Sequence, residues 1–467
     1  MYFSLLLFVT IFFSKTCFGK SKPVHYQPEQ IHLSFGGPNQ MIVTWNTYSP
    51  VKESIVEYGI DQMNFQASGS SRILVNSKES PPFIAIQYVH KVVLSGLKPG
   101  TKYIYHCGSR WGWSSIFTFT TMPDDINWVT RIALFGDMGN INAQSLSRLQ
   151  KETVKGMYDA IFHVGDFAYD MQDNGGQTGD EFMRQIQPIA AYLPYMTCPG
   201  NHEAFGNFTN YKLRFNMPGD VNSMNMFYSF NIGRAHVISF STEYYFFIEY
   251  GFWQIKNQYD WLIKDLEEAN KPANRARYPW IITMAHRPMY CSNNDKDDCT
   301  KSESLIRIGI PWFHKFGLED LFYKYGVDLC FWAHEHSYER LFPIYNRKMY
   351  NGSQEKPYTN PKAPVHITTG SAGCQERHDA FHNKTAAWSA FRSLDYGYTK
   401  MTIYNESHIY IRQLSDDQGG KIIDKIWLIK EYHGSYEDNT LKFQRFNNEK
   451  ERLKSPFFNF QNSQMEF

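Results

Sequence analysis

The chain has 467 residues, 42% of them hydrophobic, which suits two or three packed domains and excludes a wholly disordered polymer. Its 47 basic and 46 acidic residues leave a formal charge of +1, without the basic excess by which proteins bind nucleic acid. The aromatic content, 31 Tyr, 36 Phe and 11 Trp, reads as a large core with surface tyrosines rather than a stacking site.

The N-terminus, MYFSLLLFVTIFFSKTCFGKS, carries an apolar run over residues 3–13. That run is too short to span a bilayer and fits the core of a signal peptide. Cleavage after Gly19 would put Cys17 and Gly19 at the small-residue offsets, although no Lys or Arg precedes the run. An uncleaved anchor is the alternative. No later stretch reaches the roughly 20 apolar residues of a spanning helix, so no stable membrane insertion is expected after cleavage. Secretion, or residence in the lumen of a secretory or lysosomal compartment, allows disulfides. Six cysteines remain after Cys17, namely Cys107, Cys198, Cys291, Cys299, Cys330 and Cys374. The short acidic loop CSNNDKDDC makes Cys291–Cys299 the best pair. Asn-x-Ser/Thr sequons at Asn207, Asn351, Asn383 and Asn405 fit a glycoprotein.

Residues 24–122 read as short strands separated by turns: MIVTW (41–45), SIVEYG (54–59), YVHKVVLSGL (88–97), KYIYHCG (102–108) and SIFTFTT (115–121). No helical period interrupts them, and an antiparallel β-sandwich is expected. VTW followed by LKPGTKYIYHCG resembles a fibronectin type III domain, and no chemistry is assigned to it.

At MPDD (122–125) the texture changes. Apolar strands now alternate with the helix-like segments SLSRLQKETVKGMYDA and QYDWLIKDLEEAN, the pattern of an α/β or α+β domain. Five strand-like runs follow in order, RIALFGD, AIFHVGD, LPYMTCPGNH, WIITMAH and VDLCFWAHEH, each apolar and each ending in Asp, Asn or His. In open α/β sheets, sites form where the carboxyl ends of strands meet. The tail beyond Ser455, rich in Asn, Gln and Phe, reads as frayed.

The polar residues at or beside those endings are Asp137, Asp166, Tyr169, Asn201, His202, His286, His334 and His336. Any one of them alone is a turn residue or a hydrogen-bonded core histidine, as His163 inside FHVGD is read to be. Together, in ordered strand–loop positions, they point to metal. Mixed oxygen and nitrogen donors suit hard or borderline first-row ions. Even with His202 left out, two carboxylates, a phenol, an amide and three imidazoles are more than one metal with an open position requires. Two metals sharing a bridging carboxylate use the set naturally, and such a pair clamps both oxygens of an in-line displacement at phosphorus.

Asp137-Met-Gly139, Gly165-Asp166-Phe-Ala-Tyr169, Gly200-Asn201-His202-Glu203, the lone His286 of MAHRP, and His334-Glu-His336 resemble, in order, the five blocks of the purple acid phosphatases. The similarity runs over about residues 28–430, and CSNNDKDDC followed by GSAGC (370–374) looks like the animal type 7 long form of that family. The resemblance implies a signal peptide at 1–19 and a fibronectin-like N-terminal domain at 24–122. It implies a metallophosphoesterase α/β sandwich with two mixed sheets at 128–345, completed by 360–430, and a tail at 455–467.

It further implies that Asp137, Tyr169 and His336 bind a first metal, ferric iron, and that Asn201, His286 and His334 bind a second, zinc, manganese or ferrous iron. Asp166 would bridge them. A metal-bound hydroxide would attack a small phosphomonoester in line, with His202 contacting phosphate or protonating the leaving group. A homodimer is compatible with this reading, and the balanced charge leaves no expectation of a nucleic-acid partner. A phosphodiesterase or nucleotide pyrophosphatase on the same core is one alternative, and an inactive secreted binding glycoprotein another. Two departures stand out. The loop after His286 has no histidine before His314, leaving the general acid open with Glu303 as a weak candidate, and Ala333 stands where the family has Gly.

Overall fold

A computed structural model describes residues 24–78, 83–311 and 313–437. The expected signal segment and frayed tail lie outside these residues. No helix among them is long and apolar enough to cross a membrane.

Residues 29–120 form an antiparallel sandwich. One sheet has the order Glu29–Phe35, Met41–Thr47, Phe83–Leu94, Ser70–Lys78. The other has Phe65–Ser68, Ile55–Gly59, Lys102–Ser109, Gly112–Trp113, with Phe117–Thr120 also paired to Lys102–Ser109. All five expected strands form. Inward residues at alternate positions, including Val43, Trp45, Val56, Tyr103 and Tyr105, make its core.

The rest is built on two mixed sheets. The first has six strands in the order Tyr195–Cys198, Ala160–Val164, Thr130–Phe135, Gly397–Ile403, His408–Ser415, Lys421–Ile429. Its first three pair in parallel and the remainder antiparallel. The second has seven strands in the order Tyr228–Ile232, Ala235–Ser239, Trp280–Met284, Leu329–Trp332, Val365–Thr369, Tyr338–Leu341, Ser389–Ser393. The five polar-ended runs are all strands, three in the first sheet and two in the second. Their carboxyl ends therefore approach one another from two sheets rather than along one edge. The two helix-like segments depart from their expected extents in opposite directions. The first is a helix only over Leu146–Val154, because Gly156 turns the chain in a left-handed conformation, with φ +65°. The second forms the helix Trp253–Ala269.

A buried polar network joins the sandwich to the two-sheet part. Asp180, in helix Gln177–Ala190, accepts from Arg214 Nη1 (2.8 Å), Gln87 Nε2 (2.8 Å), Tyr48 OH (3.0 Å) and Gln30 Nε2 (3.2 Å). Tyr105 OH donates to the Ala191 carbonyl at 2.7 Å. The N-terminal unit is thus tied directly to helix Gln177–Ala190 and the residue that follows it.

Candidate metal centre

Each expected site residue sits just past a strand end, on a loop that must turn sharply to aim its side chain. Asp137, Asp166, Tyr169 and His334 all have φ between 51° and 69°. Left-handed backbone costs a non-glycine residue on the order of 1 kcal/mol and recurs where a site over-determines it. One glycine is obligatory for a different reason: a Cβ on Gly200 would lie 2.1 Å from Asp166 Oδ1. Ala333 is accommodated because its methyl faces Gly136, which has no side chain to meet it.

The structure brings the expected donor set together in two groups. In one, Tyr169 OH lies 2.9 Å from His336 Nε2 and 3.4 Å from Asp137 Oδ1, and His336 Nε2 lies 3.6 Å from Asp137 Oδ1. In the other, His286 Nε2 is 3.1 Å from both Asn201 Oδ1 and Asp166 Oδ2. Asp166, His286 and His334 each bring a ligand atom within 4.8 Å of the others. His202 stands at the rim: its Nε2 is 4.0 Å from Asp166 Oδ2 and 3.7 Å from Glu376 Oε1, and its ring is 4.5 Å from that of Tyr169.

The three imidazoles are oriented from outside. His286 Nδ1 donates to the Val164 carbonyl at 2.9 Å, and His336 Nδ1 donates to the Arg377 carbonyl at 3.0 Å. His334 Nε2 donates to Asp297 Oδ2 at 2.5 Å. Each ring therefore has one nitrogen held from outside, Nδ1 of His286 and His336 by main-chain carbonyls and Nε2 of His334 by Asp297 and Arg287, leaving the other nitrogen to face the site. The consequence is a cluster of acceptors. His286 Nε2 confronts Asn201 Oδ1 and Asp166 Oδ2 at hydrogen-bond distance, a place that a proton or a cation can fill. Such an arrangement is unfavourable by itself and becomes favourable around cations. Without a cation, the carboxylates draw protons instead. Burial disfavours the charged form of His286, yet Asp166 and Asp137 outweigh it and push its pKa up to about 10. Burial likewise opposes protonation of His202, but the hydrogen bond to Asp170 and the charge of Asp166 raise it to about 9.

The residues that hold this geometry were less legible. Glu203 is buried, and its carboxylate accepts the main-chain N–H groups of Gly200 (2.8 Å), Asp166 (2.9 Å) and Phe167 (3.0 Å). It thereby fixes the Asp166 loop to the Asn201 turn. Its pKa rises to about 8 through burial, then the neighbouring charge of Asp166. Its place after Asn201-His202 was a signal, but nothing local marks a glutamate as buried. Asp297, from the acidic loop, reaches His334, and Arg287 Nη1 is 2.9 Å from the same ring while its Nε pairs with Glu243 at 2.9 Å. Glu303 is exposed. His163 is fully buried with Nδ1 2.7 Å from Tyr195 OH, a core histidine. Cys291 and Cys299 form a disulfide, and Cys107, Cys198, Cys330 and Cys374 are free and buried.

Comparison with known proteins gives three consecutive family matches: the purple acid phosphatase N-terminal domain at residues 28–121, a calcineurin-like phosphoesterase at 130–338, and an iron/zinc purple acid phosphatase-like C-terminal segment at 363–425. The chain is 54% identical over 424 residues to acid phosphatase type 7 of Danio rerio, covering 88% of this chain and 93% of that protein. It is 53% identical to acid phosphatase type 7 of Mus musculus, covering 90% and 94%. A purple acid phosphatase from yellow lupin seeds shares the fold with a TM-score of 0.73 at 24% identity, covering 87% of this chain and 75% of that one. The two sheets, the converging strand ends and an identity above half over nearly the whole length lead to one conclusion: the chain belongs to the purple acid phosphatase family and is an acid phosphatase with a metallophosphoesterase core.

Proposed function

We propose that the protein is a secreted phosphomonoesterase with a binuclear centre. Asp137, Tyr169 and His336 hold ferric iron, Asn201, His286 and His334 hold zinc or another divalent ion, and Asp166 lies between them as the bridge. The observation that supports the reading is the outward tethering of all three imidazoles, which turns their other ring nitrogens toward the carboxylates, phenol and amide. Phenol and carboxylate oxygens in the first group favour a hard trivalent ion, while neutral Asn and His in the second favour a divalent one. When bound, the pair supplies Lewis acidity and an activated water for in-line displacement at phosphorus.

The chain's own residues do the rest. Glu203 holds Asp166 and Asn201 in register. Asp297 holds the His334 ring. His202, at the rim and raised to about 9, carries a proton throughout the acid range and presents its Nε2 to the phosphate or the leaving-group oxygen. The disulfide and the short apolar N-terminal run support an oxidising, extracytoplasmic location.

The test couples metal analysis to turnover of p-nitrophenyl phosphate and its bis ester. Iron plus a second metal, with the monoester hydrolysed faster, is the expected result. A metal-free protein, or a preference for the bis ester, would sink the proposal.

A further inference from the structure

Outside the seven residues of the metal centre lies a second convergence of acidic groups. Asp295 of the disulfide loop, Glu335 between the two site histidines, and Asp379 each bring a carboxylate oxygen within 4.8 Å of the others. Acidic side chains cluster on many surfaces, but this cluster has a buried member without a partner. Glu335 is 1% exposed, and its Oε2 meets no donor. Its Oε1 lies 3.0 Å from Cys299 Sγ, a disulfide sulfur with no proton to give. Buried polar atoms in folded proteins are nearly always partnered, so an oxygen left this way calls for a ligand or a proton.

The surroundings add acceptors, not donors. Asn293 is fully buried; its Nδ2 donates to the Asp379 carbonyl at 2.7 Å and to Ser337 Oγ at 3.0 Å, and its Oδ1 is unpartnered. Asp379 Oδ2 accepts the His336 N–H at 2.7 Å, and Asp295 Oδ1 accepts the Asp297 N–H at 3.0 Å. The nearest cationic candidate, His336 Nδ1, is 3.6 Å from Asp379 and already donates to Arg377. No lysine or arginine among the described residues pairs with any of the three carboxylates.

We propose that Asp295, Glu335 and Asp379 hold a hard divalent cation of the calcium class, which clamps the disulfide loop onto the His334–Glu335–His336 turn. The donor set decides the class. It is all oxygen, with no thiolate or inward imidazole, which disfavours zinc and copper. Calcium accepts six to eight oxygens in irregular geometry, and the exposed side of Asp295 leaves room for water ligands. Magnesium demands a near-ideal octahedron that three carboxylates from three loops do not impose. The site is not catalytic; it fixes Asp297 and the His334 ring by fixing the loop that carries Asp297. The competing arrangement is a proton on Glu335 and no cation.

The experiment uses the full chain with its iron and second metal in place. Protein is dialysed against buffer freed of divalent ions, then against calcium chloride or magnesium chloride, and bound calcium, iron and zinc are measured alongside Tm. One calcium per chain and a Tm raised by calcium but not magnesium are expected. Asp295→Asn, an exposed substitution that the fold tolerates, should weaken calcium binding by about tenfold or more while iron and zinc stay constant. Glu335→Gln should abolish it. A wild type that binds no calcium, or an Asp295→Asn variant that binds it as well as wild type, overturns the proposal whether or not Glu335→Gln folds.

Discussion

Glu203 offers the sharpest test of how the site is held. Its carboxylate is the acceptor for three main-chain N–H groups, those of Gly200, Asp166 and Phe167, all on buried residues. Glu203→Ala strands all three donors. At about 1–3 kcal/mol for each buried unsatisfied group, the loss is about 3–9 kcal/mol, with water entering the vacated space favouring the lower half. Against a total stability of roughly 5–15 kcal/mol, that is enough to destroy or nearly destroy the fold.

Glu203→Gln is the informative partner. Oε2 serves Asp166 and Gly200, while Oε1 serves Phe167 alone. A glutamine with its oxygen in the Oε2 position keeps two bonds and turns its amide group against the Phe167 N–H. About 1–3 kcal/mol should be lost, and kcat should fall about 10–100-fold because Asp166 and Asn201 shift. Urea unfolding of metal-loaded protein gives the stability, and p-nitrophenyl phosphate gives the rate. If Glu203→Ala unfolds within about 0.5 kcal/mol of wild type, Glu203 is not the clamp described here.

Two further predictions concern the frame. Asp180→Ala removes the partner of Arg214, whose side chain is 1% exposed, and should destabilise the protein by about 3–5 kcal/mol in urea; a change under about 1 kcal/mol would show that the network between the sandwich and the catalytic part does not matter. Asp328 is fully buried, and although burial alone would raise its pKa, Lys430 and Arg275 hold it well below the usual carboxylate range. Its folded pKa is depressed below the unfolded value of 3.8, so its stabilisation is present above that pH and is lost only as pH falls further, toward the folded pKa. Asp328→Asn should therefore cost about 3–5 kcal/mol at pH 5 as well as at pH 7, with the difference shrinking below about pH 4. A penalty that disappears already at pH 5 would contradict this assignment.

The centre was readable because each strand that feeds it is an apolar run ending in a polar residue, and such endings survive in one dimension. Which sheet each strand joins was not readable: Trp280–Met284 and Ala160–Val164 look alike in sequence, and only tertiary pairing sends them to different sheets. Strands Glu29–Phe35, Phe65–Ser68 and Ser70–Lys78 gave too little alternation to stand out. In the last, Ile73 and Val75 face solvent, so its apolar residues do not mark the core side. Glu203 and Glu335 escaped notice for a common reason. A glutamate beside a histidine reads as solvated, and burial in a loop has no period. Glu335 lies in a turn, after His334 at φ +69°, and is the buried member of a second acidic cluster with Asp295 and Asp379.

The central claim is that Tyr169 is a ligand of ferric iron beside a second metal. A phenolate bound to Fe(III) gives a visible charge-transfer absorption, and phenylalanine cannot. The most direct measurement is the visible spectrum of purified wild type and Tyr169→Phe, read together with iron and zinc content. The account predicts a coloured wild type with both metals and a Tyr169→Phe variant without the band. An unchanged band in Tyr169→Phe, or a wild type without iron, would contradict it.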